Sequence, residues 1–260
     1  MLYEGDVPDY KLPFVLDRVY GRLGFRSPVL YANFVTSLDG VAALGSGVSA
    51  GSMISGKNPA DRFLMGLLRA WADAVIIGAG TLRATPGHKW TPAHVFPDLA
   101  AGFTALRVSL NRPPEPRLVV VTARGDIDLE HPAIVAGATV MTTSAGAQHL
   151  KGRVPETCEV VAVGEGERLE VGNVVSELNR RGHQVLLTEG GPTLMGQLVE
   201  ARLVDQVFLT LSPVLAGRER GERRLGMVED VALLPKNGVW NTLLSARRHD
   251  NFLFLRYATS

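Results

Sequence analysis

The stretch Leu187-Thr188-Glu189-Gly190-Gly191-Pro192-Thr193-Leu194 decides the fold. An apolar run ends there in an acid and two glycines, and a helix start follows. Glycines at such a turn let an anion approach the backbone, and the unpaired N–H groups and positive dipole end of the helix bind it. The turn is either a nucleotide pyrophosphate site or simply a tight connection between strand and helix. Working outward, Val75-Ile76-Ile77-Gly78-Ala79-Gly80-Thr81 repeats the pattern, a buried strand running into glycines with a hydroxyl placed to bond a phosphate or an amide. Two such strand ends in one sheet share its carboxyl edge, where open α/β sheets bind ligands. The spacing differs from the Rossmann Gly-x-Gly-x-x-Gly, because Thr81, Leu82 and Arg83 follow Gly80. Asn33-Phe34-Val35-Thr36-Ser37-Leu38-Asp39-Gly40 brings an acid and a glycine to the same edge. There Asp39 either orients a bound ring and, if desolvated, protonates it, or belongs to a plain turn.

The rest of the chain alternates short β-branched runs with helical patterns. This predicts an α/β fold, a mainly parallel sheet covered by helices on both faces. Strands are expected at 29–36, 74–78, 118–122, 139–143, 159–163, 185–189 and 206–212. Helices are expected at 59–71, 174–181 and 193–201, and an antiparallel C-terminal hairpin, 240–248 with 252–258, closes one edge. Residues 1–27 read as an ordered extension and 28–260 as one domain. Prolines at 86, 92, 97, 113, 114 and 116 mark residues 86–116 as a substrate loop or lid containing a short helix, or else a surface insertion.

Composition narrows the class. With 260 residues, 46% hydrophobic and 20% charged, the chain can bury a sizeable core. A net charge of +1 gives no reason to expect a polyanionic partner such as nucleic acid. The single cysteine, Cys158, reads as a packed thiol and fits a reducing compartment. No apolar stretch suggests a membrane span, and the N-terminus has no signal-like pattern, so a cytoplasmic protein is expected. His88, His94, His131, His149, His183 and His249 are scattered, and no metal is expected.

In order along the chain, Ser37-Leu38-Asp39-Gly40, Asp61-Arg62 on a helix reaching Arg69, Asp73 through Thr81, and Glu189 through Leu194 resemble the reductase domain of riboflavin biosynthesis in its stand-alone form. The resemblance runs from about Val29 to Tyr257. It implies a dihydrofolate-reductase-like fold, NADPH as hydride donor, a homodimer, and reduction of the ribosyl group of a ribosylaminopyrimidine phosphate to ribityl. Carried over residue by residue, it implicates Gly78, Gly80, Thr81, Gly190, Gly191, Pro192, Thr193 and Leu194 in cofactor binding. It places Thr36 near the nicotinamide, and Thr122 and Arg124 near the adenosine end. Arg124 is the expected 2′-phosphate contact, since guanidinium binds phosphate through paired hydrogen bonds. Asn33, Asp39, Arg69 and Glu189 are implicated on the substrate side, with Asp39 in the catalytic polar role. Where the family has an Asp and then an Arg for the substrate phosphate, this chain has Thr85-Pro86-Gly87-His88-Lys89-Trp90, so His88 or Lys89 is a candidate replacement cation. Two other functions fit the same residues: reduction of another pteridine-like ring such as dihydrofolate, and NADPH binding without catalysis.

Overall fold

The computed structural model describes residues 1–45, 49–221 and 223–259, so Ser260, the end of the expected domain, lies outside the described residues. In chain order its elements are β1 (Tyr3–Glu4), α1 (Phe14–Tyr20), β2 (Val29–Thr36), α2 (Ala50–Ile54), α3 (Pro59–Trp71), β3 (Ala74–Gly78) and α4 (Ala79–Ala84). Next come α5 (Pro92–Val95), α6 (Ala100–Ser109), β4 (Arg117–Val121), α7 (Pro132–Val135), β5 (Thr139–Thr142), α8 (Ser144–Leu150) and β6 (Glu159–Ala162). The chain ends with α9 (Val171–Arg180), β7 (Val185–Thr188), α10 (Pro192–Glu200), β8 (Gln206–Leu211), β9 (Asn241–His249) and β10 (Phe252–Thr259).

All ten strands form one sheet in the order β1-β9-β10-β8-β2-β7-β3-β4-β5-β6. From β8 to β6 every pairing is parallel, while β10 joins β8, β9 joins β10 and β1 joins β9 antiparallel. The α/β fold and its C-terminal hairpin are therefore as expected, with one correction. The hairpin is not the edge, because Tyr3 and Glu4 pair with Ala246 and Ser245 outside it.

Alternation along the strands splits the core between the two faces, since successive side chains point to opposite sides. Val29, Tyr31, Val75, Ile77, Val185 and Leu187 pack toward α1, α3 and α6. Leu30, Ala32, Ala74, Ile76 and Leu186 pack toward α9 and α10. Several strands stop one residue short of their β-branched runs because the last residue has another use. Thr143, for example, accepts from Gly146 N at 3.1 Å and so caps α8 instead of extending β5.

Of the two expectations for residues 86–116, the segment fits the substrate side with helix in it and not a surface insertion. It holds α5 and α6, which pack on α3 through Val95, Phe103 and Leu106, with Trp90 just before α5 buried as well. Arg107, 1% exposed, donates to the carbonyls of Arg69, Ala70 and Ala72 at 3.4, 3.2 and 2.8 Å, capping the C-terminus of α3. The segment thus builds one wall of the site and braces the helix that carries it.

Candidate active site

A cleft of about 1360 Å³ opens along the carboxyl ends of β2, β7, β3 and β4. Residues from these neighbouring strand ends line it, from Asn33 at one side, through Glu189 and Gly78, to Val121 and Thr122 at the other. The two glycine turns meet inside it: a Cβ built on Gly191 would lie 3.5 Å from Thr81 Oγ1. Gly78, Gly80, Thr81, Thr122, Gly190, Gly191, Pro192, Thr193 and Leu194 all line the cleft, as do Asn33, Arg69 and Glu189. No side chain caps the start of α10 at Gly191, which directs its first-turn N–H groups toward the cleft. These groups suit an anion, and the cleft exceeds the roughly 300–1,000 Å³ of ordinary small-molecule pockets, room for a dinucleotide and a second ligand.

At the Asn33 side, Arg69 and Glu189 form a buried pair at 2.7 Å, with side chains 2% and 8% exposed. Arg69 Nε donates to both Glu189 oxygens at 3.2 and 3.0 Å, and Nη2 donates to Oε2. The remaining guanidinium hydrogens go to His88 Nε2 at 2.9 Å and to the carbonyls of Lys89 and Thr91 at 3.3 and 3.4 Å. All five Arg69 N–H donors are thereby engaged, so Arg69 orients Glu189 and ties the 88–91 segment down rather than reaching for an anion. Asn33 Nδ2 approaches Glu189 Oε1 at 3.5 Å. His88 accepts from a guanidinium and so carries its proton on Nδ1. Burial, reinforced by the Arg69 charge, lowers its pKa to about 3.

Three expectations are corrected. Asp39 is not an acid facing the reacting ring: it lies outside the cleft wall, and its carboxylate accepts from Ser37 Oγ at 2.6 Å, Ala216 N at 3.0 Å and Gly217 N at 2.9 Å. The Ser37 hydroxyl first, then the Ala216 amide, lower its pKa to about 2, the reverse of the raised value a proton donor needs. Thr36 is buried in β2, and Arg124 is exposed beside Ala123, both outside the wall. His88 is no replacement cation because it is neutral, and Lys89 is exposed away from the lining. Among the described residues, the other cations lining the cleft are Arg83 and Arg168.

The sequence motif that contains Asp61 gave this acid no role. Asp61, on α3, lines the cleft while only 5% exposed, and burial raises its pKa to about 6. Its signal was available, since Asp61, Met65 and Arg69 recur at i, i+4 and i+8 and all three face the cleft.

The model of the RibD C-terminal domain family matches residues 28–243. The chain belongs to this family. As a RibD C-terminal domain protein it is an oxidoreductase of the riboflavin-biosynthesis type. It is 29% identical over 195 residues to the 2,5-diamino-6-ribosylamino-4(3H)-pyrimidinone 5′-phosphate reductase of Archaeoglobus fulgidus, covering 73% of this chain and 82% of that protein. The Aquifex aeolicus protein of the same name is 28% identical over 184 residues, 70% of this chain and 75% of its own length. In fold, a pyrimidine reductase-like protein from Corynebacterium diphtheriae superimposes with a TM-score of 0.74 at 22% identity, covering 94% of this chain and 98% of that one.

Proposed function

We propose that the chain is an NADPH-dependent reductase that converts the ribosyl group of a ribosylaminopyrimidine 5′-phosphate to its ribityl form. One observation carries the reading: the Gly80-Thr81 and Gly190-Gly191 turns are in contact and continue without a break into the Asn33, Arg69 and Glu189 cluster. The α10 N-terminus fits a pyrophosphate, with Gly80 and Gly191 leaving room for the backbone to approach it and the Thr81 hydroxyl beside them. Bound NADPH supplies the hydride, and the protein sets distance, orientation and charge. Glu189, held by Arg69, keeps lone pairs for the N–H donors of an aminopyrimidine. Arg83 and Arg168, which line the cleft, are the proposed 2′-phosphate contacts, so either Arg→Ala variant is expected to lower the preference for NADPH over NADH, whereas Arg124→Ala leaves it unchanged. Residues 28–260 act as the reductase domain with 1–27 as its arm. Family resemblance supports a cytoplasmic homodimer, which light scattering tests for assembly.

The test is a steady-state assay with the ribosylaminopyrimidine phosphate, following loss of NADPH absorbance. Tight NADPH binding with no substrate-dependent oxidation overturns the reading in favour of a non-catalytic binder. A second enzymatic reading, reduction of a pteridine-like ring such as dihydrofolate, is favoured by the saturation of Arg69, which leaves no donor there for a substrate phosphate. Comparing the two substrates in the same assay separates them.

A further inference from the structure

Ribosyl reduction needs a proton as well as a hydride, and the cleft offers few groups that can give one. Glu189 is locked as a bidentate acceptor by Arg69, and His88, which accepts from the same guanidinium, is a neutral imidazole. Glu167, Glu170, Glu200 and Asp230 line the cleft as exposed carboxylates on the α9 and α10 side, away from Asn33. Asp61 differs from all of them. It sits in the first turn of α3, two helical turns before Arg69, or about 12 Å along the axis. Asn58 caps that helix by accepting from Ala60 N at 2.8 Å and Asp61 N at 3.3 Å, so the Asp61 carboxyl is not spent as the cap.

Around Asp61 lie the hydroxyls of Thr210 on β8 and Ser55 after α2, the Glu189 carboxylate at the end of β7, and Arg62 on its own helix. Thr210 and Ser55 are 0% and 3% exposed. No cation pairs with Asp61 among the described residues. Desolvation comes first and repulsion from Glu189 adds to it, outweighing the hydroxyls and Arg62, and both favour the neutral carboxyl. Two carboxyls in one cleft are thus driven to opposite roles, one kept as an anionic acceptor and the other able to hold its proton up to about pH 6.

Resting on the reductase reading above, we propose that Asp61 is a catalytic acid, giving its proton to the ribose ring oxygen as the C1′–O4′ bond opens. The lone pair of the glycosylic nitrogen forms the C1′=N bond as C1′–O4′ breaks. O4′ takes the Asp61 proton and becomes the 4′-hydroxyl. C1′ then accepts hydride from the reduced nicotinamide, the C=N electrons return to nitrogen, and the cofactor leaves oxidised. One hydride and one proton are consumed, and solvent at the cleft mouth reprotonates Asp61.

The experiment pairs Asp61→Asn with the wild-type enzyme. In the wild type, kcat/KM for the ribosylaminopyrimidine phosphate is expected to fall with rising pH through about 6, as the free carboxyl ionises. Asp61→Asn is expected to lower kcat by roughly 100-fold or more and to abolish that limb, while calorimetric Kd values for NADPH and substrate stay within about threefold. Infrared titration of the cofactor-free protein supplies a readout independent of turnover: a protonated-carboxyl band that fades near pH 6 and is missing from Asp61→Asn. If the wild type turns the substrate over and Asp61→Asn keeps its kcat and its pH limb, Asp61 is not the acid although the reductase reading stands. A wild type that binds NADPH but leaves this substrate unreduced removes both.

Discussion

Asp39 and Asp61 are both carried to the carboxyl edge of one sheet, and their surroundings push them in opposite directions. A hydroxyl and two backbone amides hold Asp39 ionised, whereas burial beside Glu189 lets Asp61 hold its proton up to about pH 6. This has a consequence for stability. Asp61 has a folded pKa of about 6 against an ordinary 3.8, so between those values the folded chain binds more protons than the unfolded one and stability falls as pH rises. The penalty is complete above about pH 6 and vanishes below the unfolded value. Asp61→Asn is therefore expected to be more stable than wild type at pH 8, by on the order of 2–3 kcal/mol, with little difference near pH 4. Equal Tm differences at the two pH values would refute the assignment. Arg69 tests the opposite case. Arg69→Met leaves Glu189 buried without its partner, and a loss of about 3–5 kcal/mol is expected in denaturant unfolding.

At the level of elements, the start of α10 and the end of α3 do the positioning. Gly191 has φ −69° and ψ 173°, a conformation open to any residue, so glycine is needed there for space and not for backbone freedom. Gly191→Val is expected to fold normally while filling the gap opposite Thr81. Its Kd for NADPH should rise about tenfold or more, equivalent to roughly 1.4 kcal/mol, by calorimetry. At the other helix, Arg107 satisfies three carbonyls at the α3 terminus and also donates to Pro113 O at 2.6 Å. Arg107→Ala removes these charge-assisted bonds and should cost about 3 kcal/mol or more. Because α3 carries both Asp61 and Arg69, NADPH oxidation in this variant should lose activity at temperatures below the wild-type Tm. The bounds of α3 were legible in Asn58-Pro59, a cap followed by proline at the first helical position, and in its apolar spacing. Only one short helix was expected where α5 and α6 stand, because prolines hid a segment whose order comes from packing Phe103 and Leu106 on α3.

For the whole molecule, the N-terminal arm is part of the core. Leu12, Leu16 and Leu23 are buried in the same cluster as α3 and α6, and Arg256 reaches across to donate to Gly24 O at 2.7 Å while lying over the Phe25 and Phe208 rings. Deleting residues 1–27 exposes the surface those leucines cover, each worth about 1.5–3 kcal/mol. Circular dichroism melts of the 28–260 chain should show a severe loss of stability or no cooperative transition. A truncated chain melting within a few degrees of the full one would show that the arm only decorates the surface.

The parallel sheet, the two glycine turns and the shared carboxyl edge followed from the sequence alone, because β-branched runs alternating with helical patterns, and glycines at strand ends, are local patterns. Asn33 and Glu189 were implicated by the family resemblance, and both line the cleft. Whether an acid or a cation reaches the ligand is decided elsewhere, by loops distant in the chain. Residues 216 and 217 take the Asp39 carboxylate, and the 88–91 segment uses up Arg69. Proton affinity and hydrogen-bond satisfaction depend on what surrounds a group in three dimensions, and only the tertiary structure brings Glu189, Thr210 and Ser55 around Asp61.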